Sequence, residues 1–348
     1  MQDPSRPIVT VVMSPRERFS AIGDALASVL GDTAIPFDLI VVDGRYPGRA
    51  RRQLQSLAPS RGIRIVRRDH YLCPNEARNL AWPLARTRYV AFVDNDVVVA
   101  PGWLEALVRC AEETGADVVS PVVCIGRPLH SVVHIAGGTV RFFEQHGKRV
   151  LRESHRHAHE RLEDLRGRLG RERTDLAEFH CMLVRRDLLE RLGPLDEGLE
   201  ATSEHIDLCL KVRHAGGSIF LEPDAVATYV PAPPLRPSDV PYFLLRWSDA
   251  WCTASERRLA KTWGVDFAQS ATVRWAVRHR REAYPRIVRR AQWLLGEKRA
   301  RRWLGRIEAG VARCAGAGRE GARGPEATQS RSLRRAAIGS RDRRGSSG

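Results

Sequence analysis

The sequence predicts an α/β protein built on a mostly parallel sheet, and three observations carry that prediction. Short apolar runs rich in β-branched residues recur through the first two thirds of the chain. Segments with apolar residues at helical spacing lie between them. Several of the runs end in aspartate followed by glycine or another turn residue. Strands alternating with helices imply parallel strands covered on both faces.

In chain order, Pro7–Met13 reads as the first strand and Arg18–Leu30 as a helix with Phe19, Ile22, Leu26, Val29 and Leu30 on one face. Phe37–Asp43 is a second strand, closed by Asp43 before Gly44. Ala50–Leu57 is a short helix, Ile63–Val66 a short strand, and Asn75–Ala81 a helix that stops before Pro83. Tyr89–Val93 is an apolar, β-branched and aromatic run that reads as a buried strand. It ends abruptly in Asp94-Asn95-Asp96, with a Pro101-Gly102 turn beyond. A helix over Trp103–Glu113 and a strand over Ala116–Val123 follow. Glu178–Val184 reads as a strand and Arg185–Leu192 as a helix stopped by Gly193-Pro194. Thr202 or Ser203 can cap a helix carrying Ile206, Cys209 and Leu210, ended by Gly216-Gly217. Ser218–Pro223 is a further strand. Between them, Cys124–Asp175 is less regular. Arg152–Gly170, with His155, His157 and His159 among arginines, reads as a solvated loop or exposed helix, because no apolar frame fixes the rings.

Composition bounds the function. A 43% hydrophobic fraction supports a sizeable core, and no run of eighteen apolar residues suggests a membrane span. The start of the chain lacks the basic-then-apolar pattern of a signal peptide, so a cytoplasmic location is expected. Seven scattered cysteines, never spaced Cys-x-x-Cys, read as reduced thiols. The net charge is +16, carried almost wholly by arginine and concentrated in the last hundred residues. That balance favours anionic partners: nucleotide phosphates, a membrane surface or nucleic acid. No helix-turn-helix, zinc-finger or RNP pattern accompanies it, so nucleic acid is not expected.

The chemistry centres on Asp94-Asn95-Asp96. Carboxylates at the end of a buried strand are costly unless compensated. A hard divalent cation, Mg²⁺ or Mn²⁺, compensates them and bridges to substrate phosphates. The open ends of parallel strands are also where such sheets bind ligands.

Five segments in order carry a resemblance to the inverting family 2 glycosyltransferases, over about the first 235 residues. They are the strand Ile8–Met13; Ile40-Val-Val-Asp43; Asn75-Glu-Ala-Arg-Asn-Leu-Ala81; Phe92-Val-Asp-Asn-Asp96 with Pro101-Gly-Trp-Leu-Glu105; and Cys181–Arg186 with Gly193–Glu197 and Ser203–Lys211. The resemblance implies a GT-A fold, a nucleotide-diphosphate sugar donor, a hydroxyl acceptor and a divalent cation. It implies that Asp94 and Asp96 form the metal site, that Asp43, Ser14, Arg78 and Asp94 face the donor, and that Glu204-His205 carries the general base. Two departures stand out. The family usually has Glu-Asp where this chain has Glu204-His205, so His205 stands where the base is expected. The family's frequent third metal ligand, a histidine, has no counterpart in Ala225–Val230. An imidazole, with an ordinary pKa near 6.5, can accept a hydroxyl proton without a large environmental shift. A sugar nucleotidyltransferase would need a Gly-rich loop after the first strand, which Ser14–Arg18 lacks. A non-catalytic nucleotide-sugar or carbohydrate binder of the same fold is the alternative reading.

Beyond the Pro-rich stretch at 231–237 the character changes. Residues 236–310 are expected to form a helical, basic, Trp-rich extension, with Thr272–Leu304 a candidate for contact with anionic membrane. Residues 311–348, rich in Arg, Gly and Ser, are expected to be disordered.

Overall fold

The computed structural model describes residues 6–322, apart from Ala232, Pro234 and Ala268. Twelve strands are described: β1 (Val9–Ser14), β2 (Phe37–Gly44), β3 (Arg64–Arg68), β4 (Tyr89–Asp94), β5 (Val97–Val99), β6 (Val118–Ile125), β7 (Val133–Ile135), β8 (Gly138–Gln145), β9 (Lys148–His155), β10 (Glu172–Arg173), β11 (Cys181–Arg185) and β12 (Ile219–Tyr229). The helices are α1 (Ile22–Gly31), α2 (Gly48–Arg61), α3 (Pro74–Ala81), α4 (Trp103–Thr114), α5 (Leu162–Leu165), α6 (Arg186–Leu192), α7 (Glu204–His214), α8 (Val240–Arg246), α9 (Asp249–Trp263), α10 (Gln269–Glu282), α11 (Pro285–Leu295) and α12 (Glu297–Ala322).

One mixed sheet runs β10-β12-β6-β11-β4-β1-β2-β3. Its β3-β2-β1-β4 half is parallel, as the alternation of strands and helices predicts. Strands β1 and β4 are buried along their whole length, which is why they read as unbroken apolar runs. Chain order reverses at β1, which pairs with β2 on one side and β4 on the other. At such a switch point the connections leave in opposite directions and open a crevice beyond the carboxyl ends. Ser14 and Asp94, the last residues of β1 and β4, stand side by side there in register.

The other half brings residues in from elsewhere. Strand β11 runs antiparallel to β4, with Cys181 opposite Val93. The segment just before β11 (Glu178–His180) therefore arrives at the same edge as Asp94. Strand β12 pairs in parallel with β6, shifts register between Glu222 and Val226, and ends at Tyr229 against Val97 of β5. A separate hairpin, β8–β9, pairs Gly138 with His155.

That hairpin corrects one expectation. Lys148–His155 is a strand, and His155 is mostly buried. Both faces of β9 are largely polar, so the sequence carries no alternating signal; pairing with β8 makes the strand. His157 and His159 lie in the following turn at positive φ. A second correction concerns the C-terminus. Helix α12 continues through Ala322, and Ala315 is buried in the main core. Small residues give little hydrophobic signal, yet alanine packs and favours helix. The rest of the tail expected to be disordered, 323–348, lies outside the described residues.

The helical extension packs into the same core as the sheet. Tyr242 of α8 lies 4.7 Å from Phe19 and 5.4 Å from Tyr71, ring to ring, and its hydroxyl donates to the Leu72 carbonyl at 3.0 Å. Six of the seven cysteines are buried, and none forms a disulfide among the described residues. No described helix is long and apolar enough to cross a membrane.

Candidate active site

The tripeptide at the end of β4 divides its labour. Asn95 is structural: its backbone N–H donates to the Ser14 carbonyl at 2.9 Å, its Oδ1 accepts from the Arg16 N–H at 2.8 Å, and its Nδ2 donates to the Arg18 carbonyl at 3.0 Å. These bonds stitch the loop after β1 to the loop after β4 and hold both aspartates beside them.

Asp94 is fully satisfied by protein. Arg78 Nη2 donates to Oδ1 at 3.0 Å, Arg16 Nη1 to Oδ2 at 3.3 Å, and Ser14 Oγ to Oδ1 at 3.3 Å. Arg78 is itself buried, with its guanidinium 3.7 Å from the Phe179 ring centroid and its Nη1 donating to Asn75. The contact expected between the donor and Arg78 and Ser14 thus becomes, in this arrangement, a pairing of both residues with Asp94, one layer behind the crevice.

Asp96 is the opposite case. It is 2% exposed, and neither carboxylate oxygen has a hydrogen-bond partner among the described residues. Burial, with the Glu17 and Asp94 carboxylates close by, pushes its pKa up to about 8. An orphaned buried carboxylate at the mouth of the crevice suits a hard divalent cation, which offsets the charge and supplies the missing partner. The donor set fits such an ion through Asp96, with Asp94 held behind it.

Asp43, at the end of β2, is also buried. Its Oδ1 accepts from the Tyr46 backbone N–H at 2.7 Å and its Oδ2 lies 3.8 Å from Arg67. One oxygen therefore shapes the turn after β2, and the other faces Arg67 of β3.

Helix α7 begins at Glu204, after Ser203 in the left-handed region at φ 68°. Glu204 is buried; its Oε1 accepts from Arg246 Nη2 at 3.2 Å and lies 3.9 Å from Arg78. Burial opposes its ionisation, but Arg246 and Arg78 outweigh it and hold the pKa below the usual carboxylate value. His205 Nε2 is 2.9 Å from Glu153 Oε1 of the β8–β9 hairpin. Burial pulls the ring down, but Glu153, and then Glu178 and Glu204, raise it to about 9. This corrects the expectation of an unshifted imidazole: at neutral pH His205 carries a proton. Glu153 falls correspondingly to about 2, because His205 and His155 outweigh its burial.

Most of the remaining wall was not legible in the sequence. A cavity of about 670 Å³ opens onto Glu153, Glu204 and His205 and is also lined by, among others, Arg16, Glu17, His134, Glu178, Tyr229, Arg246 and Trp275. Tyr229 occupies the stretch where the family often places a third metal-binding histidine. It stacks on His180 at 4.3 Å, and Arg16 lies over it at 5.4 Å. His279, from α10, reaches Glu17 at 3.6 Å. The C-terminal helices therefore contribute to the site rather than merely covering it. These residues sit on separate elements with no local motif; the run Glu178-Phe-His180 before β11 was the one available hint.

Comparison with known proteins agrees with this architecture. The uncharacterized protein y4gI of Sinorhizobium fredii (strain NBRC 101917 / NGR234) is 30% identical over 217 residues, 60% of this chain and 23% of that protein. A pre-mycofactocin glycosyltransferase of Mycobacterium tuberculosis (strain ATCC 25618 / H37Rv) is 24% identical over 227 residues, 65% of this chain and 43% of that one. This chain thus spans less than half the length of either relative. Among solved structures, GalNAc-T7 crystallised with UDP, GalNAc and Mn²⁺ superposes with a TM-score of 0.51 at 14% identity, over 80% of this chain and 55% of that one. That likeness establishes the GT-A-like fold. The sequence model for glycosyl transferase family 2 matches residues 10–193, more than half of the chain and the stretch from within β1 through α6, and the protein belongs to that family.

Proposed function

We propose that the protein transfers a sugar from a nucleotide-diphosphate donor to a hydroxyl acceptor with inversion at the anomeric carbon, assisted by Mg²⁺ or Mn²⁺. The observation that carries this reading is the unpartnered Asp96 carboxylate at the β1/β4 switch point, beside a cavity that holds an acid–base pair. The donor diphosphate lies across the strand ends, next to Asp96. A divalent cation held by Asp96 would offset the charge that develops on the departing diphosphate. Arg16 and Arg78 keep Asp94 oriented behind it. Asp43 takes the nucleoside at the neighbouring strand end, with Ser14 beside it.

The acceptor hydroxyl enters from the cavity. His205, in its neutral form, removes the proton as the oxygen attacks from the face opposite the diphosphate. The carboxylate of Glu153 orients the ring, and Glu204, fixed by Arg246, is placed to bind an acceptor hydroxyl. In-line displacement inverts the carbon, and no covalent enzyme nucleophile is required. Hydrolysis of a panel of nucleotide sugars, with and without Mn²⁺, tests the reading. Slow cation-dependent hydrolysis of one donor is expected, whereas binding without any turnover supports the non-catalytic binder.

Two further results are expected. Asp43→Ala weakens nucleotide binding, measured by calorimetry, by more than it slows turnover at saturation. An unchanged affinity means that Asp43 serves only the turn held by the Tyr46 N–H. The second concerns α11 and α12. Trp293 is 83% exposed and Leu294 66% exposed, with Ile287, Trp303 and Ile307 also open to solvent. Arg286, Arg289, Arg290, Lys298, Arg299 and Arg302 lie among them along the chain, all exposed. Apolar and aromatic side chains among arginines suit an anionic membrane surface. The protein is expected to sediment with vesicles containing anionic lipid and to leave neutral ones. Trp293→Ala with Leu294→Ala removes most of that binding, and failure of the unaltered protein to pellet assigns the helices to a cap on the catalytic unit.

A further inference from the structure

We propose that His134, Glu178 and His180 form a second cation site, distinct from Asp96, for a borderline metal of the Zn²⁺ class. Strand β7 supplies His134, and the lead into β11 supplies the other two. Their ligand atoms lie within 4.8 Å of one another. His134 Nε2 is 3.1 Å from Glu178 Oε2, and His180 Nε2 is 3.6 Å from that same oxygen. Glu178 is only 6% exposed, and its Oε2 is faced by both imidazoles. A shared cation would offset the burial of that carboxylate.

The rings are held for ligation. His180 stacks on Tyr229 at 4.3 Å and meets His134 edge-on at 5.6 Å. Its other nitrogen, Nδ1, faces Asp94 Oδ2 at 3.6 Å. Two histidines and one glutamate form a donor set that Zn²⁺ adopts with a fourth position left open. Imidazole ligands favour Zn²⁺-like ions, whereas a site of carboxylate alone favours Mg²⁺ or Mn²⁺, so the two sites differ in the metal they select. His134 is 24% exposed and lines the cavity, which provides the entry route. The other trio nearby, Glu153, Glu178 and His205, is a weaker candidate, because His205 Nε2 is already bonded to Glu153 at 2.9 Å and lies 4.0 Å from Glu178.

The test uses the full-length chain, stripped with chelator and titrated with ZnCl₂ by calorimetry, then with CoCl₂ to read visible absorption. One equivalent of Zn²⁺ is expected to bind both the unaltered protein and Asp96→Asn. His134→Gln, on the partly exposed strand, and Glu178→Gln are each expected to weaken binding about 100-fold or more, beyond what outer-shell changes cost. Circular dichroism establishes that each variant is folded. Zn²⁺ should raise the melting temperature of the unaltered protein and of Asp96→Asn but not of His134→Gln, as binding to the folded state alone requires. Absence of a stoichiometric site, or equal binding by folded His134→Gln, overturns the proposal and leaves the cluster an ion-pair network. Loss of Zn²⁺ binding in Asp96→Asn overturns it too, by placing the ion at the strand ends. None of these readouts depends on sugar transfer, so failure here is distinguishable from failure of the transferase reading.

Discussion

Asp96→Asn is expected to abolish sugar transfer while raising the stability of the cation-free protein. The first effect follows from the loss of a buried carboxylate at the strand ends whose oxygens have no hydrogen-bond partner among the described residues. Charge stabilisation by a bound cation contributes several kcal/mol to such a transition state, so turnover should fall about 10³-fold or more. The second effect follows from linkage. The folded-state pKa of about 8 stands above the ordinary aspartate value near 3.9. For a carboxyl raised in the fold, the native state binds the proton more tightly. Stability from this group is therefore complete below about pH 4 and is lost as pH rises toward 8. Asparagine removes that loss. Thermal melts in chelator should show the variant equal to the unaltered protein near pH 4 and more stable at pH 7.5. With Mn²⁺ present the advantage should shrink, because only the unaltered protein gains a ligand. Unchanged turnover in the variant, or full activity in chelator, would remove Asp96 from the mechanism.

His205→Ala is expected to lose about 10²–10⁴-fold in turnover with donor affinity preserved, the usual contribution of a positioned base. The pH profile provides the sharper measurement. With a pKa of about 9, His205 is a stronger base than an ordinary histidine but is scarce in its neutral form at pH 7. Turnover should rise about tenfold per pH unit up to about pH 9. Glu153→Gln removes the carboxylate that raises the ring most and leaves burial, which lowers it, against the weaker pull of Glu178 and Glu204. Its acidic limb should therefore move down from about pH 9 toward the ordinary histidine value of about 6.5, a shift that a merely structural role for Glu153 does not produce. A flat profile from about pH 5 upward, with near-normal turnover in His205→Ala and loss in Glu204→Gln, moves the role to Glu204.

The parallel half of the sheet was legible because β1, β2 and β4 are buried on both faces and so must be continuously apolar. The Asp-Asn-Asp terminus was legible because polar residues break such a run abruptly. Hairpin β8–β9 was not, since a solvated strand pair has no hydrophobic alternation to read. The continuation of α12 to Ala322 was hidden by small residues that favour helix without signalling burial.

What the amino-acid sequence determined by itself was the alternation of strands and helices in the first part of the chain and the pair Asp94 and Asp96 at the end of one buried strand. Those features depend on local pattern and on the number of residues between strands. The tertiary structure decided which of the two aspartates is free. Arg16 and Arg78 satisfy Asp94, and no described residue hydrogen-bonds to the Asp96 carboxylate. It also decided the charge on His205, because Glu153 stands 52 residues away along the chain and 2.9 Å away in space. Hydrogen bonding and pKa depend on distances of a few ångströms and on burial. Sequence separation does not encode those quantities; the long-range pairing of the strands does.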